Sequence, residues 1–156
     1  MTMRLRACGP LVNSFCSVAA TLGDKQGALL FQLPPSLKKN LPLLEAFLAD
    51  LPAGTRAAFE FRHPSWFEDE VFDQLAARNL ALCVADSEKM STPVRVTTDY
   101  AYFRLRDEGY TPDDIKRWGD TISRETATCK DVFVYFKHEE EGKGPEFAKI
   151  LQAHFI

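Results

Sequence analysis

Hydrophobic positions along the chain follow two periods in alternation. Five short β-rich runs, residues 28–33, 56–62, 81–86, 100–106 and 131–138, change character at every second residue. In 56–62, Ala57, Phe59 and Phe61 share one face while Ala58, Glu60 and Arg62 share the other, because successive strand side chains point to opposite sides. Ala101, Phe103 and Leu105 likewise oppose Tyr102, Arg104 and Arg106, and Val132, Val134 and Phe136 oppose Phe133, Tyr135 and Lys137. Gln32 falls on the face of Ala28 and Leu30. These strands therefore have one oily face and one that turns polar towards the C-terminal end.

Between the strands the period lengthens to that of a helix. Residues 41–51 place Leu44, Phe47, Leu48 and Leu51 on one side, and Pro52 and Gly54 stop them. Residues 67–79 repeat this with Phe67, Val71, Leu75 and Ala76. Thr111-Pro112-Asp113-Asp114 opens another helix with a cap, a proline and acids in the first turn, and Pro145 begins a last one through Phe147, Ile150 and Leu151. Residues 4–22 predict a helix before the first strand, with Leu11, Phe15, Val18 and Leu22 on its inner side. Strand and helix alternate without a Gly-, Ser- or Pro-rich linker, which predicts a single α/β domain over residues 1–156 with a parallel sheet of right-handed βαβ units.

A parallel sheet covered on both faces reads as nearly continuous Val, Ile and Leu. The polar face here must line a cavity or meet water. A β/α barrel supplies the cavity, with its active site at the C-terminal strand ends. A two-layer sheet with one wet face produces the same alternation.

Composition narrows the partners. With 46% hydrophobic and 26% charged residues in 156, the chain has ordinary globular content and length enough for one core. Nineteen Lys and Arg against 22 Asp and Glu leave a net charge of −3, which excludes a basic field over the whole molecule but not a local basic cleft. No run reaches the about 18 apolar residues of a membrane helix. Arg6, Asn13, Ser14 and Ser17 interrupt the start too soon for an export signal. Cys8, Cys16, Cys83 and Cys129 form no Cys-x-x-Cys pair and have no His spaced nearby, so they read as reduced thiols of a cytoplasmic protein.

The candidate chemistry gathers at strand ends. Glu60, Arg62 and His63 lie within four positions of one terminus and Asp86 ends the next strand, with Gln32, Arg104, Arg106 and Lys137 on polar faces. Glu60 or Asp86 is the expected general base, with His63 at the rim and Arg62, Arg104, Arg106, Lys137 and Gln32 binding an anionic substrate. The structural alternative is that Glu60 and Arg62 pair with each other or with Arg104, and that His63 caps the following helix. Glu60, Asp86, His63 and His138 are weak candidates for metal ligands, so no metal is expected and no pattern designates a cofactor. The loop Glu139-Glu140-Glu141-Gly142-Lys143-Gly144-Pro145 feeds a helix start that suits an anion, against the opposition of three acids. Trp66 and Trp118 read mainly as packing residues.

With these residues in place, the chain resembles the YecE-like family, catalogued as domain of unknown function 72. The matching stretches are Leu22-Gly23-Asp24-Lys25-Gln26-Gly27 with Phe31-Gln32-Leu33-Pro34-Pro35, Glu60-Phe61-Arg62-His63-Pro64-Ser65-Trp66, Ala85-Asp86-Ser87, Tyr102-Phe103-Arg104-Leu105-Arg106 with Gly109-Tyr110, and Asp131 through Glu139. They occur in the family's order along nearly the whole chain. The resemblance implies a TIM-barrel fold and no established activity. It further implies that three strands precede residues 28–33 in family members, so the chain corresponds to a partial barrel of five parallel strands with alternating helices, truncated at its N-terminus. Two open sheet edges, at 28–33 and 131–138, then lead to the expectation of a homo-oligomer. A small phosphate- or carboxylate-bearing ligand is the leading partner, with a hydrolase or lyase as the corresponding full-length activity. A nucleic-acid-binding or nuclease-like barrel, which the net charge does not support, and a non-catalytic self-associating module are the alternatives.

Overall fold

A computed structural model describes Leu5, residues 8–137 and residues 142–155. His138 and the acids Glu139, Glu140 and Glu141 lie outside the described residues. The elements run α1 (Gly9–Ala20), a 3₁₀ turn (Gly23–Lys25), β1 (Leu29–Gln32), α2 (Leu41–Asp50), β2 (Ala57–Glu60), a 3₁₀ turn (Pro64–Trp66), α3 (Asp69–Ala76), β3 (Ala81–Ser87), β4 (Met90–Ser91), β5 (Tyr100–Leu105), α4 (Pro112–Glu125), β6 (Asp131–Phe136) and α5 (Lys143–His154). The sheet order is β1-β2-β3-β5-β6, with every neighbouring pair parallel. Each crossover thus moves the chain one strand sideways in a constant direction, as in a section of a β/α barrel. Two-residue β4, which the alternation does not reveal, pairs antiparallel with the end of β3.

Local chemistry sets the helix starts. The Asn40 side chain accepts the Leu43 N–H at 3.0 Å to cap α2. Thr111 and Asp114 cap α4 reciprocally, satisfying two backbone donors that the first turn leaves without partners.

The two sheet faces differ in volume. On the helix side, Phe31, Phe59 and Phe61 stack along the sheet with Phe47 of α2 edge-on to the first two, and Trp66 lies 4.8 Å from Phe61, its indole N–H donated to the Leu37 carbonyl at 2.7 Å. A second core on that side joins Val84, Ala101 and Phe103 to Ile115 and Ile122 of α4 and to Phe147 and Leu151 of α5, with Trp118 half-buried against Phe103. The opposite, inner face holds Ala58, Ala81, Cys83 and Ala85 with Tyr100 and Tyr102. Its small residues come from the strands themselves. At the N-terminal end of this face the buried Tyr100 hydroxyl accepts the Ala57 N–H at 2.9 Å and lies 2.9 and 3.1 Å from the Ala57 and Asn79 carbonyls.

Two helix faces differ from expectation. The stripe predicted to be inward on the first helix is largely outward: Leu11, Val18 and Leu22 are 63%, 67% and 57% exposed, and Phe15 is half-buried against Phe31. Val12 and Cys16 are buried instead. One residue turns a helix by about 100°, so two overlapping apolar stripes compete, and tertiary packing at the sheet edge selects one. In α3, which starts at Asp69, the buried set is Val71, Phe72 and Leu75, while Ala76 is exposed and Phe67, ahead of the helix, packs partly buried against the core. Among the described residues no helix is long and apolar enough to cross a membrane.

Candidate functional site

Glu60 is the last residue of β2 and is 0% exposed. Parity sends its side chain to the inner face, and in-register pairing of β1 with β2 puts Gln32 directly opposite it. Gln32 Nε2 donates to Glu60 Oε2 at 3.0 Å, and Arg62 Nε donates to Oε1 at 2.9 Å. Arg104, from the inner face of β5, bonds Oε2, and Arg106 Nη2 stands 3.5 Å from Oε1. Burial alone raises a carboxyl pKa, but hydrogen bonds from Gln32 and Arg62 and the charge of Arg104 outweigh it, holding Glu60 below the ordinary range. It is an ionised group at the bottom of a cationic cluster. The Cys83 thiol, 4.0 Å from Oε2, is pushed far up by burial and then by the Glu60 charge, so it is not a thiolate nucleophile at neutral pH.

Three guanidinium groups share this one carboxylate, which leaves an excess of positive charge. A cavity of about 450 Å³ opens beside them, lined by Arg62, Lys89, Arg106 and Lys137 against Glu88 and Glu108. The Glu88 carboxylate is turned to the Glu108 backbone N–H at 2.8 Å. Arg106 Nε is buried and has no hydrogen-bond partner among the described residues. A buried donor without a partner costs about 1–3 kcal/mol, so this nitrogen is set for an acceptor. Beside Arg104 the Tyr102 and Tyr135 rings stack at 5.1 Å on the inner face.

Gln32, Glu60, Arg62, Arg104 and Arg106 are thus brought together as the alternation predicts, with Lys137 on the wall of the adjoining cavity. Asp86 is not. It shares the parity of Leu82 and Val84 on the helix side, where it accepts the Tyr110 hydroxyl at 2.6 Å and lines a separate cavity with Arg117 and Trp118. Burial, then the bond to Asp86, raises the Tyr110 phenol. His63 Nδ1 is taken up by Ser65, whose backbone N–H it accepts at 3.2 Å while facing the Ser65 hydroxyl at 2.8 Å; it caps the 3₁₀ turn. Glu60, Asp86 and His63 therefore form no common centre, and no group of three or more His, Cys, Asp or Glu among the described residues is placed to hold a metal ion. Lys89 was not legible as a site residue, because only the short β3–β4 arm carries it to the cavity.

The family model described as "Protein of unknown function DUF72" matches residues 1–155. A DUF72 family protein from Thermotoga maritima MSB8 is 24% identical, with a TM-score of 0.77 over 93% of this chain and 64% of that one. A DUF72 family protein from Enterococcus faecalis V583 is 18% identical, with a TM-score of 0.77 over 96% of this chain and 66% of that one. The chain spans just under two thirds of the length of these structures, and at such identities the likeness establishes the fold. No curated protein matches the chain.

Proposed function

The chain belongs to the DUF72 family, whose function is unknown, and on that premise we propose that its cationic mouth binds a small phosphate- or carboxylate-bearing molecule. The observation that carries this reading is the convergence of Arg62, Arg104 and Arg106 on the single buried carboxylate of Glu60, with Arg106 Nε left for an acceptor. Arg62, Arg106 and Lys137 are the ligand-binding groups. Glu60 is a positioning residue: its charge and the bond from Gln32 fix the arginine array before the ligand arrives, lowering the ordering cost of binding. A planar guanidinium suits the paired oxygens of phosphate or carboxylate. A general-base role suits neither Glu60, whose oxygens are already engaged, nor Asp86, which lies across the sheet.

Isothermal titration with inorganic phosphate and with acetate tests this. Arg106→Gln is expected to weaken binding about 10- to 100-fold, the equivalent of a charge-assisted hydrogen bond of about 1.5–3 kcal/mol. An unchanged affinity in the variant, or no uptake of either anion by the parent chain, overturns the reading.

A further inference from the structure

We infer that the ligand of the cationic mouth is a phosphomonoester bound as its dianion; the inference rests on the anion-binding reading above and narrows its substrate class. Charge decides between the two anions that reading allows. The guanidinium groups of Arg62, Arg104 and Arg106 gather on one carboxylate, Glu60, and so leave two positive charges unmatched. Across the adjoining cavity Lys89 and Lys137 are balanced by Glu88 and Glu108, so the excess among the described residues stays at two. A carboxylate ligand carries one charge and leaves one of these cations without a counter-charge. A phosphomonoester carries two once the pH is above its second pKa of about 6, and matches the excess.

Shape agrees with charge. Arg62 lies two residues beyond β2, Arg106 one beyond β5 and Lys137 one beyond β6, so the cations reach the mouth from three separate strand ends. A tetrahedral phosphoryl group turns its three terminal oxygens in different directions, whereas a carboxylate offers two in one plane. Size argues for an ester rather than the free ion. Taking water's about 30 Å³ for each non-hydrogen atom, inorganic phosphate fills about 150 Å³, a third of the about 450 Å³ present. The rest of the wall includes Pro35 and Met90, and the Ser87 hydroxyl, donated to the Met90 carbonyl at 3.1 Å, ties the arm that carries Met90. An organic group of a few carbons has apolar surface to lie against there.

The probes are n-propyl phosphate and n-propyl sulfate, which share a body and a tetrahedral head, the sulfate keeping a single charge throughout. Isothermal titration of the whole chain at about pH 7.5 is expected to show the phosphate ester binding about 10-fold more tightly than the sulfate ester, and more tightly than inorganic phosphate. At about pH 5 the phosphate ester has mostly lost its second charge and its advantage should fall to about 2-fold, while any titration of the chain itself moves both esters together. Lys137→Gln, at an exposed position, removes one cation and should narrow the neutral-pH ratio about 3-fold with the sulfate ester still bound. Equal binding of the two esters, a ratio independent of pH, a ratio unchanged by Lys137→Gln, or inorganic phosphate bound as tightly as its ester overturns the inference and leaves the anion site standing. Binding of none of the three overturns the anion site and the inference with it.

Discussion

Replacing Glu60 with Gln keeps the volume of the side chain and removes the charge around which Arg62, Arg104 and Arg106 are gathered. Two effects oppose each other. The amide avoids the cost of burying a carboxylate, but it leaves three guanidinium groups without a counter-charge and turns an NH₂ towards other donors. Removing one partner from a buried ion pair costs about 3–5 kcal/mol. The arginine side chains keep 17%, 21% and 30% exposure, so water relieves part of the repulsion and the loss falls at the lower end, about 3 kcal/mol. That is a large fraction of the about 5–15 kcal/mol that stabilises a domain. Urea unfolding followed by circular dichroism measures it: with a slope of about 2 kcal/mol per molar, the midpoint should fall by about 1.5 M at unchanged slope. A variant within about 0.5 kcal/mol of the parent refutes the idea that this carboxylate holds the cluster together, since that is the range of an indifferent surface substitution.

The same group gives a pH dependence. The folded pKa of Glu60 is depressed, so its contribution is present above the unfolded value near 4.5 and is lost as pH falls through the folded value. The urea midpoint of the parent should hold at neutral pH and drop in acid, and the Glu60→Gln variant should show a smaller drop; equal drops contradict the assignment. Tyr100→Phe leaves the buried Ala57 N–H without its acceptor and should cost about 1–3 kcal/mol in the same assay, whereas a neutral result means that water or another carbonyl takes the place of the hydroxyl.

Strand parity made most of the site legible. Gln32, Glu60, Arg62, Arg104 and Arg106 fall on one face by counting in twos, and the sheet brings them to one carboxylate. Asp86 was a candidate for its place at a strand end alone; counting in twos from Leu82 and Val84 puts it on the helix side, where the structure has it, so parity is the stronger rule. His63 shows the limit of motif proximity: the Pro64 that follows it starts a turn in which the Ser65 N–H and hydroxyl claim the imidazole. The face of α1 was not legible, since Leu11 and Val12 begin equally good stripes and only the neighbouring elements choose between them. Lys89 reaches the cavity on the arm to a two-residue strand too short to show a period, and Tyr100 depends on contacts between residues far apart in sequence, which no local period records.

The division of the helix-side packing into two clusters gives the chain a pair of built-in optical reporters. Trp66, fully buried against Phe61, belongs to the cluster of α1, α2, α3 and the first strands, while Trp118, half-buried against Phe103, belongs to that of α4, α5 and the last strands. Because the two indoles are the chain's whole tryptophan content, silencing either one assigns the emission of the other to a single half. The melting of the two halves can then be followed separately in one molecule, with no dye attached.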